Sequence, residues 1–200
     1  MQFEACGLVL CGGASERMGT DKCFIDYHGA PQCYHLFELL QNFCSEVFIS
    51  TNSSLAARFD SKYPIIIDNK LFEKSGPVAA LLTTWKKYPR KNLLVVGCDY
   101  PLLSASELGN FVVSIKQQLD ASVFFNETQN LFEPVLGYYS HRCFDPLQKR
   151  FEIGNFSLQG FLKDMQAGRY FPREQDSMLS IDTPEMWRKT NEKIYANAGK

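Results

Sequence analysis

The sequence predicts a single α/β domain in which a mostly parallel sheet carries helices on both faces, and three observations lead there. Short, nearly continuous apolar runs alternate with longer segments of helical period through the first 120 residues, the pattern of βαβ units whose strands are buried on both sides. The chain has 200 residues, 45% hydrophobic and 22% charged, an ordinary globular balance. At that length roughly 70% of the unfolded surface is buried on folding, so neither a disulfide nor a metal staple is required. No repeat, low-complexity tract or Gly/Ser/Pro linker divides the sequence, and residues 1–200 read as one domain.

The elements follow in order. Strands are expected at Ala5 to Leu10, Glu46 to Ser50, Ile65 to Ile67, Leu93 to Gly97 and Ala121 to Phe125. Helices are expected between them at Pro31 to Phe43, Ser54 to Phe59, Pro77 to Tyr88 and Ser104 to Leu119. Pro31 and Pro77 suit the first helical position, where a missing N–H costs nothing. Ser104 followed by Glu107 is a capping-box pattern, in which each side chain satisfies an orphan amide. After Asn126 the rhythm loosens to a strand at Phe132 to Tyr139, helices at Arg142 to Arg150 and Leu158 to Met165, a short strand at Met178 to Ile181, and a last helix from Pro184 to about Asn197.

Charge and cysteine usage exclude several classes. Lys and Arg total 21 against 22 Asp and Glu, a net charge of -1, which provides no overall positive field for nucleic acid. The longest apolar runs, such as Leu93 to Val96, fall far short of the ~20 residues that span a bilayer. The seven cysteines, Cys6, Cys11, Cys23, Cys33, Cys44, Cys98 and Cys143, include no C-x-x-C pair, so zinc-ribbon, thioredoxin-like and haem-attachment patterns are missing. An odd count and no charged-then-apolar leader at residues 1–10 point to a reducing cytoplasm. Cys6, Cys44 and Cys98 read as small core hydrophobes. Cys11 is the exception, because amides and cations beside it favour a thiolate.

Chemistry concentrates in Leu8-Val9-Leu10-Cys11-Gly12-Gly13-Ala14-Ser15-Glu16-Arg17-Met18-Gly19-Thr20-Asp21-Lys22. In a parallel sheet ligands occupy the crevice beyond the carboxyl ends of the strands, and this loop leaves the first one. Gly12, Gly13 and Gly19 let main-chain amides approach phosphate oxygens. Arg17 adds a planar fork for two oxygens, and Lys22 a mobile point charge suited to a leaving group. The spacing fits neither Walker A, which needs G-x-x-x-x-G-K-S/T, nor the dinucleotide fingerprint G-x-G-x-x-G. Downstream, Val95-Val96-Gly97-Cys98-Asp99-Tyr100-Pro101 sets a carboxylate at the mouth of a strand, where it can hold a hard cation against phosphate.

The glycine loop resembles L-A-G-G-x-S-x-R-M-G-x-D-K, the signature of the molybdenum cofactor guanylyltransferases, also called the molybdopterin-guanine dinucleotide biosynthesis protein A family. Cys11 stands where that pattern usually has Ala. The resemblance implies the Rossmann-like nucleotide-diphospho-sugar transferase fold, a nucleotide-binding half over about residues 1–120 and an acceptor half over about 121–200. It implies that Leu10, Cys11 and Gly12 lie against the nucleotide with Gly13, that Arg17 and Lys22 hold its phosphates, and that Asp99 of a C-D-x-P motif binds magnesium. Ile65-Ile66-Ile67-Asp68 resembles the strand whose terminal Asp contacts the nucleotide. Ser75-Gly76-Pro77-Val78-Ala79-Ala80 resembles the G-P-L-A-G element that opens the next helix. Ser50-Thr51-Asn52 falls where the family often has a nucleotide-binding Asn, with Ser50 the better aligned. Phe132-Glu133-Pro134-Val135 resembles a strand leading into the acceptor half. In Ser180-Ile181-Asp182-Thr183-Pro184-Glu185, Ser180 and Asp182 replace the two asparagines of N-x-N-T-P-E, and Asp182 either offers magnesium a second carboxylate or caps the last helix.

The implied reaction moves GMP from GTP to the phosphate of molybdopterin or molybdenum-molybdopterin and releases pyrophosphate, with Arg17, Lys22 and Asp99 as catalytic groups and Mg2+ as cofactor. Other cofactor-biosynthesis proteins and apo-molybdoenzymes are the partners implied; nucleic acid and membrane are not. Two other readings stay open: cytidylyl transfer or NDP-sugar synthesis on the same fold, and a non-catalytic nucleotide or cofactor carrier, toward which Cys11, Ser180 and Asp182 point. Gly12-Gly13, where cytidylyltransferases of this group more often have Ala-Gly, favours guanine. His28, His35 and His141 sit in no catalytic motif. His141-Arg142 with Lys149-Arg150 reads as a solvated helix face ahead of a pterin-phosphate contact, and Phe124, Phe125, Phe132, Tyr138 and Tyr139 as core strand ahead of a pterin platform.

Overall fold

The computed structural model describes residues 4–12, 21–181 and 183–198. Seven strands, β1 (Cys6–Cys11), β2 (Glu46–Thr51), β3 (Ile65–Ile67), β4 (Leu93–Gly97), β5 (Ala121–Asn126), β6 (Leu131–Tyr139) and β7 (Gly168–Tyr170), form one sheet in the order β3-β2-β1-β4-β6-β5-β7. Every neighbouring pair is parallel except the two that include β6. The helices are α1 (Gln32–Gln41), α2 (Pro77–Lys87), α3 (Ala105–Ser114), α4 (Phe144–Glu152), α5 (Leu158–Asp164) and α6 (Pro184–Ala198).

Both faces of the sheet are covered, as the apolar strand runs require. All six residues of β1 are buried, and side chains that alternate along a strand feed two cores. Leu8, Leu10, Leu93, Val95 and Val123 meet Leu81, Leu82 and Trp85 of α2, Leu147 of α4 and Phe161 of α5. Val9, Cys11, Leu94, Val96 and Phe124 meet Leu36 and Leu40 of α1 and Phe111 of α3. A small third cluster seats Met186, Trp187 and Ile194 of α6 against Ile25, Tyr27 and Ile181.

This order creates the position of the site. The chain moves from β1 outward through β2 to β3, then returns to lay β4 along the opposite side of β1. The carboxyl ends of β1 and β4 therefore flank a topological switch point, where departing connections diverge and leave a crevice.

Four local expectations change. Ser54 to Phe59 forms only a 3₁₀ turn over Ala56–Arg58, because Asn52 Oδ1 accepts from Ser54 Oγ (2.6 Å) and the Leu55 amide (3.0 Å), a side-chain turn that competes with a short helix. α3 stops at Ser114, where the chain turns to extended backbone at Ile115 and seats that side chain against the core, while Val113 is 87% exposed. Pro31 precedes α1 as its cap, whereas Pro77 takes the first turn of α2 as expected. Met178 to Ile181 is not a strand: Gln175–Met178 is a 3₁₀ turn, and β7 takes the sheet edge instead. β7 opens on Gly168, where a Cβ would lie 2.5 Å from Ser122 Oγ. That glycine, required by close strand packing, conceals the strand from a propensity reading.

Candidate active site

A cavity of about 720 Å³ opens at the switch point between β1 and β4. Leu10, Cys11, Gly12, Lys22, Ser50, Asp68 and Asp99, drawn from four strand ends and the turn after the glycine loop, all line it. Gly13, Arg17 and Asp182 lie outside the described residues. Residues separated by up to 89 positions thus meet at one edge because parallel strands all end on the same side.

One wall is built around Asp68. Its amide donates to the Thr51 carbonyl (2.8 Å), extending the β2–β3 ladder by one step. Its Oδ1 accepts from Ser50 Oγ (2.9 Å). Burial raises the carboxyl to about 6, with the Ser50 hydroxyl pulling the other way. Ser50 and Asp68 form a polar pair whose one hydroxyl proton is shared between them, with acceptor capacity left over for a ligand's donors.

The opposite wall is built around Asp99, two residues beyond β4. A Cβ at Gly97 would come within 2.8 Å of Asp99 Oδ1 and 2.9 Å of Val135, so only glycine lets the carboxylate turn back over the strand end. Ser180 Oγ donates to Asp99 Oδ2 (2.8 Å), and the Ile181 amide donates to the Asp99 carbonyl (3.1 Å). The segment expected to be a strand therefore serves as a strap over Asp99. Glu133 of β6 stands nearby, its Oε2 accepting from the Tyr100 hydroxyl (2.9 Å). Burial, partly opposed by that hydrogen bond, and the neighbouring Asp99 raise its carboxyl above the ordinary range.

Several groups in or beside the cavity carried little signal in the sequence. Lys74 lines the cavity in a left-handed conformation at φ +66°, followed by Gly76 at φ +60°. These positive angles turn the chain abruptly into α2, and Gly-Pro at the helix start was the signal for that turn. Ser180 carried a signal only as a departure from asparagine. Glu133, beside the cavity, lay inside a recognised strand pattern without a role; of the two further cysteines that line it, Cys98 carried only the C-D-x-P pattern and Cys23 no local signal.

Other expectations resolve plainly. All seven cysteines are free, with Cys6 and Cys44 buried as core residues and Cys98 only partly so. Cys11 reverses its expectation: complete burial and hydrogen bonds shared with the thiols of Cys23, Cys33 and Cys98 raise its pKa well above the ordinary value, and desolvation outweighs any favourable field. The aromatic set is core strand, with Phe124, Phe125, Phe132, Tyr138 and Tyr139 at 8% exposure or less. His141 contacts Asn92 before β4, and Arg142 pairs with Asp120 before β5, so both lie at the sheet edge opposite the cavity. His28 stacks on His35 at 3.9 Å and its Nε2 lies 2.8 Å from the Pro101 carbonyl, bracing the Asp99 turn. Among the described residues no helix is long and apolar enough to cross a membrane.

A doubly wound sheet with glycine-bordered strand ends, a lysine and carboxylates lining a cavity at its switch point defines an α/β protein of the kind that binds small ligands beyond the carboxyl ends of its strands. The chain belongs to the MobA-like NTP transferase family, whose model matches residues 7–168. It is 28% identical over 186 residues to the molybdenum cofactor biosynthesis bifunctional protein of Synechocystis, covering 92% of this chain and 53% of that protein, so the chain spans about half the length of this relative. The fold is similar to molybdopterin-guanine dinucleotide biosynthesis protein A of Archaeoglobus fulgidus, with a TM-score of 0.77 and 20% identity over 96% of this chain and 99% of the other. It is also similar to a CMP:2-keto-3-deoxy-manno-octonic acid synthetase solved with CTP, at a TM-score of 0.70 and 13% identity over 97% and 99% of the two chains.

Proposed function

We propose that this protein transfers GMP from GTP to the terminal phosphate of molybdopterin, with or without molybdenum, and releases pyrophosphate. The observation that carries the reading is the convergence of Leu10 to Gly12, Lys22, Ser50, Asp68 and Asp99 on one cavity at the switch point. The family match and the relative from molybdenum cofactor biosynthesis agree with it.

The chemistry needs positioning more than proton transfer. An acceptor phosphate oxygen is ionised at neutral pH, so its attack on the α-phosphorus requires no strong base. As the bond to the bridging oxygen breaks, negative charge collects on pyrophosphate, and Lys22, with Arg17 of the same loop, neutralises it. Gly12 keeps the main chain close enough for its amide to face a phosphate oxygen. On the other wall, ionised Asp68 accepts from the N1–H and 2-amino group of guanine, a pattern that cytosine, adenine and uracil do not offer on one edge.

Magnesium fits the donor set. Mg2+ uses one or two carboxylates and fills its sphere with water and phosphate oxygens, which suits Asp99 at the cavity wall with Glu133 beside it. Among the described residues no group of three or more His, Cys, Asp or Glu is arranged to hold a metal by itself. Bound at Asp99, the ion would supply charge neutralisation and a template for the phosphates; Asp182 is a second candidate ligand. Ser180 keeps the Asp99 carboxylate oriented.

The test is pyrophosphate release with magnesium and molybdopterin, comparing GTP, CTP, ATP and UTP. GTP preference is expected. CTP preference would make the protein a cytidylyltransferase, and nucleotide binding without turnover would make it a carrier.

A further inference from the structure

Four of the seven cysteines, from β1, the turn after the glycine loop, α1 and the end of β4, meet on one side of the nucleotide cavity. Cys11, Cys23 and Cys33 are 3% exposed or less and belong to one packed cluster, which Cys98 joins at its margin. Cys11, Cys23 and Cys98 line the cavity. The contact follows from the topology. Leu10 pairs with Gly97 and the Cys98 amide donates to the Leu10 carbonyl (3.2 Å), so Cys98, just past the next strand, stands beside Cys11, while the turn Lys22–Phe24 brings Cys23 against Cys11.

We propose that Cys11 and Cys23 are an oxidisable dithiol in the wall of the nucleotide cavity, and that oxidation and nucleotide occupancy exclude one another. The oxidant is a hydroperoxide small enough to enter the open cavity. The Cys23 thiolate attacks the peroxide oxygen, the O–O bond breaks, and Cys23 becomes a sulfenic acid as water or alcohol leaves. Cys11 then attacks the Cys23 sulfur as its thiol proton passes to the departing sulfenyl oxygen, forming S–S and expelling water. Two thiols and one peroxide thus yield one disulfide, with both electrons passing to the peroxide.

The division of roles has a structural cause. The Cys11 thiol donates a hydrogen bond to the Cys23 sulfur, which lowers Cys23 below the ordinary thiol range despite burial, whereas Cys11 is held protonated. The attacking thiolate is therefore Cys23. Cys23 is also the better partner mechanically. A disulfide needs the sulfurs to close to about 2.05 Å; Cys11 ends β1 and Cys98 is tied by its amide to the Leu10 carbonyl of that strand, but Cys23 sits on a three-residue turn that can shift. That turn begins with Lys22, so bond formation drags the proposed phosphate ligand toward β1 and narrows the cavity.

The test uses the wild-type protein treated with hydrogen peroxide and mapped by non-reducing peptide mass spectrometry. A Cys11–Cys23 linkage is expected, reversed by dithiothreitol, together with at least tenfold weaker nucleotide binding while it is present. A bound nucleotide with magnesium should slow linkage at least tenfold. Cys23→Ser should abolish the linkage and Cys98→Ser should retain it, with circular dichroism checking the fold of each; the wild-type map decides even if a variant misfolds. A dominant Cys11–Cys98 bond, over-oxidation of Cys23 without a disulfide, or undiminished linkage under bound nucleotide overturns the proposal. Only the protection arm rests on the functional reading: failure to bind GTP, CTP, ATP or UTP at all sinks that reading, while the linkage map stands as an independent test.

Discussion

The two ends of the sheet's carboxyl edge solve opposite problems. Across β3, β2, β1 and β4 the edge is left open, with Ser50, Asp68 and Asp99 facing a cavity. Across β5 and β7 the same layer is sealed by Phe111, Phe124 and Tyr170, whose rings meet at 4.9 to 5.2 Å. Here a fully buried carboxylate, Glu107, is held by the Tyr170 hydroxyl and the amides of Arg173 (3.1 Å) and Glu174 (2.7 Å). The Ser104 hydroxyl caps α3 by accepting from the Glu107 amide (3.0 Å), so half of the expected capping box forms. The other half is lost because Glu107 serves the segment after β7 instead. The comparison teaches that half-buried carboxylates at the open strand ends, Asp68 and Asp99, mark the ligand region, whereas the fully buried Glu107, met by several protein donors, marks structure.

Substitutions should separate the two regions, beginning with the largest effect. Phe124→Ala removes a fully buried ring from the sealed side and is expected to lower stability by about 3–5 kcal/mol, read by chemical denaturation, while nucleotide affinity of the folded fraction is retained. Asp99→Ala and Lys22→Ala should do the reverse: turnover falls about 10²-fold or more, some 3 kcal/mol, with the unfolding midpoint held. Near-native turnover in either purified variant would break the comparison and the functional reading with it.

Asp68→Asn should show both properties at once. The carboxyl is raised to about 6 by burial, so at pH 7 its ionised form costs the empty protein stability. Replacement by a neutral amide is expected to stabilise it by about 1–2 kcal/mol after solvent screening, and to remove the preference for guanine. In the parent protein the folded state binds this proton more tightly than the unfolded state, so the group's stability contribution rises as pH falls from about 6 toward 3.8. Nucleotide affinity should move the other way, falling as Asp68 protonates below about 6. Parallel changes of affinity and stability would refute the assigned role.

The smallest effect belongs to His35. Burial, with a lesser contribution from His28, lowers its pKa from 6.5 to about 4, so the unfolded chain binds the proton first. Its contribution to stability is present above pH 6.5 and declines as pH falls toward 4. At pH 5.5 the expected loss is about 1 kcal/mol or less, allowing for solvent screening, and His35→Gln should flatten that part of the denaturation profile.

The open region was much more legible in the sequence than the sealed one. Apolar β1 and β4, the glycine loop, Gly76-Pro77 and Asp99 are contiguous patterns, and parallel βαβ units oblige their ends to converge. The sealed region depends on longer-range agreements. β6 lies antiparallel between β4 and β5, and β7 is a three-residue edge whose glycine reads as a breaker until Ser122 is seen against it. The expected strand at Met178 to Ile181 was drawn by its apolar residues, yet its backbone pairs with Asp99 instead of a strand.

By itself the sequence determined most of the strands and helices of the first half and the patterns that end them, Gly12 after β1, Gly76-Pro77 before α2 and Asp99 after β4, since each rests on local periodicity or on the freedom of a glycine. Tertiary structure decided what depends on neighbours distant in the chain: the raised carboxyl of Asp68, the Ser180 strap on Asp99, and the meeting of four scattered cysteines in which Cys11 keeps its proton and Cys23 gives its own up more readily. Burial and hydrogen bonding set those properties, and both are created only when the strands are brought side by side.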